Sequence, residues 1–244
     1  MMSVEKLNYV KSLKHILMDF TEVVSTTEVT GIAIDSRKVE AGNLFIAYRG
    51  ENYNGLDYID DAIKSGATAI LIDKAEIFNS AAIPVEVFKV AMLRKNAGFI
   101  ISRFYGNPSK NIKITGVTGT NGKTTVSYLL AYAMHGLKKN SAFIGTLGCG
   151  LFGQIETSKT TTPDPAKLHS LFSLWENQVD FVSMEVSSHA LDQGRTEGTE
   201  FNTAVFTNLS RDHLEGGRTN RAAPLKILDF KIYICLLYTS AAAD

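Results

Sequence analysis

The chain has 244 residues, room for one large domain or two modest ones, and a soluble-type composition with 45% hydrophobic and 20% charged residues. Lys plus Arg and Asp plus Glu balance at 25 each, so no overall field draws the protein to nucleic acid or a membrane surface, although a local basic patch at a phosphate site is compatible with that balance. No stretch approaches the ~18 continuous apolar residues of a membrane span, and two cysteines, Cys149 and Cys235, cannot make a disulfide framework or a paired metal site.

The first residues mix Glu5, Lys6, Lys11, Lys14 and Asp19 with apolar positions, so they lack the apolar core of a secretory leader and point to the cytoplasm. Leu7, Val10, Leu13 and Leu17 have helical spacing and predict a short N-terminal helix. Gly31 to Ile34 and Asn43 to Tyr48 read as strands, Leu56 to Ser65 as a helix stopped by Gly66, and Ala69 to Ile72 and Val85 to Phe88 as two further strands. A long helix is expected from Val90 to Phe104. The Gly106-Asn107-Pro108 turn that ends it is the expected domain boundary, separating residues 1–107 from the rest of the chain.

A second series of strands and helices begins with a strand from Ile112 to Thr115 and a helix from Thr124 to Leu137. It continues with a strand from Ala142 to Thr146, a glycine-rich segment from Gly148 to Gly153, and a helix from Pro165 to Glu176. Strands from Phe181 to Val186 and Ala204 to Thr207 complete the pattern. The alternation predicts an α/β protein: a small N-terminal α/β domain, then a truncated, mostly parallel, Rossmann-like P-loop domain over residues 108–214. After Leu214 the apolar residues fit no clean period. Residues 215–244 are expected to be an aberrant tail from truncation or a shifted frame, with an irregular C-terminal element as the other reading.

Between the first strand and helix of the second series lies Gly116-Val117-Thr118-Gly119-Thr120-Asn121-Gly122-Lys123-Thr124-Thr125. Glycines there let main-chain N–H groups converge on a phosphate, and the helix dipole favours an anion. Lys123 would reach the outer phosphates and Thr124 would bind Mg²⁺. The strict P-loop pattern fails, because Val117 occupies its first glycine position and Gly116 and Gly119 flank that slot. A plain glycine turn with a surface lysine is the alternative, but strand, glycines, Lys-Thr-Thr and helix follow in the order the mechanism requires.

Other chemistry-bearing segments sit at expected strand ends, where ligands bind in open α/β sheets. Glu185 closes a strand and is read either as a Mg²⁺ ligand or as a solvated acid. Ser187 and Ser188 either cap a helix or touch a ligand. The Thr160-Thr161-Thr162-Pro163-Asp164-Pro165 turn is read as a helix start or as an anion contact. Ser210 or Asp212 would cap a helix, and His213 is read as a loop histidine or a ligand. Asp35-Ser36-Arg37 and Gly50 to Gly55 are read as turns or as ligand contacts of the first domain.

Together these blocks resemble the Mur ligase family, in its UDP-N-acetylmuramoyl-tripeptide synthetase branch. The matching segments are Asp35-Ser36-Arg37 with Gly42 to Ala47, Gly50 to Gly55, Gly116 to Thr125, and Thr161-Thr162-Pro163-Asp164. Met184 to Leu191 with Gln193 and Arg195, and Phe206 to Leu214, extend the resemblance, which covers residues 30 to 214. It implies an ATP-dependent ligase of peptidoglycan synthesis, joining meso-diaminopimelate or L-lysine to UDP-MurNAc-L-Ala-D-Glu through an acyl phosphate, with ATP and Mg²⁺ as cofactors. It also implies a cytoplasmic monomer with small-molecule substrates and neither nucleic-acid nor membrane partners.

By resemblance, Gly119, Thr120, Asn121, Gly122, Lys123, Thr124 and Thr125 cradle ATP. Lys123, Glu185 and His213 serve catalysis. Thr124 and Glu185 bind one metal and His213 a second. Ser36, Glu51, Asn52 and Tyr53 touch the uridine nucleotide, and Thr161, Thr162, Ser187, Gln193 and Arg195 touch the muramoyl-dipeptide. The family continues after Asp-His-Leu into a His-Gly stretch and a helix with a carbamylated lysine. Gly216-Gly217 and Lys226 fall near those places, but Pro224 would then sit inside the helix, where proline costs about 3 kcal/mol. The family's C-terminal domain has no counterpart, so a fragment inactive alone is expected. The alternatives are a non-catalytic nucleotide-sugar binding fragment or the neighbouring branch that adds a terminal dipeptide.

Overall fold

The computed structural model describes residues 9–51 and 53–208 and the strand Ile234–Leu236. It divides into two compact units, Met1–Asn107 and Pro108–Asp244.

In the first unit, β1 (Lys11–Ser12) pairs antiparallel with β2 (Glu28–Val29), and α1 (Leu13–Leu17) follows β1 directly. The predicted N-terminal helix is thus confined to α1 among the described residues, and it buries Leu13, Ile16 and Leu17. The main sheet is parallel, in the order β3 (Gly31–Ala33), β4 (Asn43–Ala47), β5 (Ala69–Asp73) and β6 (Glu86–Val90). A 3-10 turn at Gly55–Tyr58 leads into α2 (Ile59–Lys64), whose first turn carries Asp60 and Asp61, matching the dipole. The core beneath this sheet gathers Ala33, Phe45, Ala47, Ile59, Ala62, Ile70 and Ile72.

The expected helix from Val90 is shorter than the sequence suggests. Val90 ends β6, and Met92 takes a left-handed conformation before α3 (Leu93–Phe104) begins. The start of α3 is fixed by Asp73 Oδ2, which accepts a 2.7 Å bond from the Leu93 N–H. This capping residue lies on β5, twenty positions back along the chain, out of reach of a local pattern.

The second unit is a six-stranded sheet ordered β12 (Ile234–Leu236), β11 (Thr203–Phe206), β7 (Lys113–Thr118), β10 (Phe181–Glu185), β8 (Ser141–Gly145) and β9 (Gly148–Leu151). All pairings are parallel except β8 with β9. The helices are α4 (Lys123–Gly136), α5 (Pro165–Trp175) and α6 (Ser188–Asp192). β7 runs three residues further than expected, through Gly116 and Val117 to Thr118, so the glycine loop proper starts at Gly119. The glycine-rich segment at Gly148 forms the antiparallel edge strand β9 rather than a loop.

α5 starts at Asp164, whose carboxylate accepts the Lys167 N–H at 2.9 Å, with Pro165 in the first turn. Its apolar face buries Leu168, Leu171, Phe172 and Trp175 together with Ile112 and the sheet residues Ile114, Val182 and Met184. No described helix is long and apolar enough to cross a membrane. The readings of Asn52, Ser210, Asp212, His213, Pro224 and Lys226 fall outside the described residues. So does the tail reading, apart from β12.

Candidate functional site

The chain order β7, β8, β10, β11 against the spatial order β11-β7-β10-β8 puts β7 at a reversal. From β7 the chain crosses beyond β10 to reach β8. From β10 it returns past β7 to reach β11. Ligands of open α/β sheets bind outside the carboxyl end of such a strand, and the loop 119–122 leaves β7 there.

The loop is latched to the end of β11. The Thr120 N–H donates to Asn208 O at 2.9 Å, and the Asn121 N–H donates to Asn208 Oδ1 at 3.0 Å. Thr207 Oγ1 and Asn208 Nδ2 donate back to Asn121 O at 2.6 and 3.1 Å. Gly119 has φ +131, and a Cβ there would lie 2.2 Å from Thr207 Oγ1. The position therefore requires glycine, both for its backbone and for the latch beside it. Gly122 precedes α4, and among the described residues α4 has no side-chain cap at its N-terminus. Its first N–H groups thus remain available to an anion.

Lys123 folds back on this loop, its Nζ donating to Gly119 O at 2.8 Å and Thr120 O at 2.9 Å. Burial holds the Lys123 ammonium below the usual lysine range, with the Glu185 charge opposing.

Thr124, on the first turn of α4, donates from Oγ1 to Glu185 Oε2 at 3.0 Å. Glu185 ends β10 and is only 1% exposed. The reading of Glu185 as a solvated acid is therefore overturned. Its second oxygen, Oε1, accepts the Thr146 N–H at 2.8 Å, and Thr146 Oγ1 donates to Oε2 at 3.2 Å. Gly145 makes this approach possible, since a Cβ there would lie 2.1 Å from Oε1. The sequence marks Thr146 only as the end of a strand, and no local signal points to its contact with Glu185.

Mg²⁺ suits this donor set. A hydroxyl and a carboxylate stand side by side at a helix N-terminus, and magnesium sites commonly take one or two protein oxygens and fill the rest with phosphate and water. Thr124 and Glu185 are the residues that would hold it. Among the described residues no group of three or more His, Cys, Asp and Glu could hold a metal ion by itself.

Next to Glu185 the 160–165 turn meets the end of β10 and the start of α6. Thr162 is buried, and its hydroxyl donates to Glu185 O at 2.9 Å while accepting the Ser187 N–H at 3.2 Å. Arg195 Nη1 donates to Thr162 O at 2.9 Å, and its Nε donates to Gln193 Oε1 at 2.7 Å. Ser187 caps α6, accepting the Ala190 N–H at 3.2 Å. Thr161, Thr162, Ser187, Gln193 and Arg195 are thus brought into one cluster, with Thr162 and Ser187 spending side-chain oxygens on its framework.

In the first unit, Ser36 and the 50–55 turn follow β3 and β4, which are adjacent and parallel. The two loops therefore share one end of that sheet. Asp35 grips Arg37 with two side-chain bonds of 2.9 and 2.8 Å, which hold the Asp35 carboxyl below its ordinary value. Tyr53 is 72% exposed, and Glu51 pairs with Arg94 at 3.8 Å.

Loop, helix and strand-end acid together define a P-loop α/β domain, preceded by a separate small α/β unit. Family comparison agrees. The model of the Mur ligase middle domain matches residues 117–223, and that of the Mur ligase family catalytic domain matches residues 28–105. Two relatives are named UDP-N-acetylmuramoyl-L-alanyl-D-glutamate–2,6-diaminopimelate ligase. The protein from Haemophilus influenzae (strain PittEE) is 43% identical over 204 residues, covering 82% of this chain and 42% of that protein. The one from Xylella fastidiosa (strain Temecula1) is 45% identical over 188 residues, covering 77% and 38%. A solved structure of a ligase of the same name superposes with a TM-score of 0.76 at 28% identity, covering 96% of this chain and 54% of that one. The MurF ligase from Thermotoga maritima, solved in complex with ADP, shares the fold at a TM-score of 0.58 and 18% identity, over 86% and 46%. The chain belongs to the Mur ligase family, carrying its N-terminal and middle-domain regions. It spans about 40% of the length of the curated relatives named above.

Proposed function

We propose that this chain supplies the ATP-binding and UDP-sugar-binding parts of a cytoplasmic ligase that extends UDP-MurNAc-L-Ala-D-Glu by one amino acid, meso-diaminopimelate or L-lysine. The observation that carries this reading is the Thr124–Glu185 contact at the mouth of the glycine loop, with the Thr162–Arg195 cluster beside it. The names of relatives 43% and 45% identical favour diaminopimelate.

In this reading the first N–H groups of α4 and Lys123 grip the ATP phosphates, while the Thr120 and Asn121 N–H groups hold the loop to Asn208. The substrate carboxylate attacks the γ-phosphorus, the bond to the β-phosphate oxygen breaks, and ADP leaves an acyl phosphate. The amine of the incoming amino acid then attacks the acyl carbon, phosphate departs, and the nitrogen gives up a proton. When bound, Mg²⁺ supplies positive charge to the phosphate oxygens as charge moves onto the leaving group. Lys123 is pre-aimed by the Gly119 and Thr120 carbonyls and has only to exchange them for phosphate oxygens. Arg195, held by Gln193 and the Thr162 carbonyl, presents positive charge toward an acidic substrate.

Ser36 and the Glu51–Tyr53 turn would hold the uridine nucleotide on the first unit. His213 and Lys226 belong to this proposal only as sequence positions. Calorimetric titration tests the reading. The chain is expected to bind a non-hydrolysable Mg-ATP analogue and UDP-MurNAc-L-Ala-D-Glu, and to discriminate against UDP-N-acetylglucosamine. Absence of both interactions overturns it.

A further inference from the structure

Proton counting around Glu185 gives Thr146 a definite place. An ionised carboxylate only accepts hydrogen bonds, so at Glu185 Oε2 both Thr124 Oγ1 and Thr146 Oγ1 must be donors, at 3.0 and 3.2 Å. A hydroxyl has one proton. Thr146 has spent its own on Glu185, and its oxygen lies 3.1 Å from Thr161 Oγ1. In that contact Thr161 must be the donor. The result is a directed relay, Thr161 O–H to Thr146 O–H to Glu185, with the Thr146 N–H holding the other carboxylate oxygen at 2.8 Å. Thr146 is exposed, whereas Glu185 is buried, so Thr146 stands over the carboxylate on its open side.

We propose that Thr146 is a positioning residue that fixes the Glu185 carboxylate for the metal and, through the same hydroxyl, sets the orientation of Thr161 on the substrate-side turn. One side chain thereby couples the nucleotide-metal pocket to the acidic-substrate pocket. The inference rests on the proposed ATP- and Mg²⁺-binding function.

The test is a Mg²⁺ titration of a fluorescent, non-hydrolysable ATP analogue on the full chain, with folding checked by circular dichroism. Thr146→Val keeps the shape and the main-chain N–H but loses the hydroxyl. It is expected to raise the Mg²⁺ midpoint about 10-fold or more, the lower end of the range for a hydrogen bond to a charged group. Binding in EDTA should not change, and Thr146→Ser should restore the wild-type midpoint. Thr161→Val should shift the midpoint less, and should add nothing in the Thr146→Val background. If valine disturbs folding, Thr146→Ala carries the same expectations. A wild-type midpoint in the hydroxyl-less variants, or an equal shift in EDTA, overturns the positioning role while leaving nucleotide binding intact. A wild-type chain that binds no nucleotide at any Mg²⁺ concentration overturns the functional reading and this inference with it.

Discussion

Lys123 is the residue on which nucleotide affinity is expected to turn. Its ammonium already sits among loop carbonyls, part-buried and electrostatically tied to Glu185. Lys123→Ala should weaken binding of an ATP analogue about 10- to 100-fold, the range for hydrogen bonds to charged groups. The melting temperature should also fall, since the ammonium faces the charge of the buried Glu185. Unaltered affinity would falsify the phosphate role.

His169 makes a different kind of statement. It lies on α5, fully buried, with Nε2 3.0 Å from Glu197 O. The carbonyl can only accept, so Nε2 carries the proton and Nδ1 is a bare acceptor with no partner among the described residues. Burial pushes the imidazole down to about 4, and the Glu197 carbonyl opposes this only in part. The unfolded chain takes up that proton near the ordinary histidine value of about 6.5. The folded state is therefore fully favoured above that pH and loses stability as pH falls toward 4. Between about pH 7.5 and pH 5 this one group should remove about 2 kcal/mol. Urea midpoints at the two pH values check it. His169→Gln, which keeps a donor for the carbonyl, should lose that part of the slope.

At the scale of elements, the loop 119–122 works because β11 holds it. Gly119→Ala meets Thr207 Oγ1 and Asn208, and so must open the latch. Gly122→Ala faces open space and suffers only its left-handed backbone, at φ +81. The second substitution should cost about 1–2 kcal/mol. The first should cost more and also reduce nucleotide binding, as thermal melts and titrations of the pair will reveal. Equal effects would mean that the latch is unimportant. Residue order alone locates this loop, but it gives no sign of the partners Thr207 and Asn208, which lie far along the chain, Asn208 87 positions from Asn121. Nor does it reveal β9. Glycine has low strand propensity, and Gly148–Leu151 is a strand because β8 pairs with it and the 154–156 return closes on it through Cys149.

At the scale of the whole molecule, the two compact units suggest two separable stabilities. Each has its own sheet, parallel in the first and mostly parallel in the second, and Ser36 and the 50–55 turn lie in one while the glycine loop lies in the other. Scanning calorimetry should resolve two transitions. A Mg-ATP analogue at 100 times its Kd should stabilise only the second unit, by about 2.7 kcal/mol. UDP-MurNAc-L-Ala-D-Glu should act on the first unit as well, if the proposed uridine site at Ser36 and the 50–55 turn holds. If both ligands moved one transition alone, the assignment of the uridine site to the first unit would be wrong.

The α/β alternation, the glycine-lysine loop and the family were legible in the residues themselves, because hydrophobic period and glycine placement are local properties of a chain. Val90 and Val117 mark where local reading reached its limit, since an apolar residue beside a turn suits a helix start, a glycine loop or a strand until a partner strand claims it. The structure alone decided that Glu185 is buried between Thr124 and Thr146, that Thr162 and Ser187 serve the framework, and that Asn208 secures the loop. Those facts depend on which strands become neighbours. Strand order follows from packing energies summed over the whole sheet, and no window of sequence contains that sum.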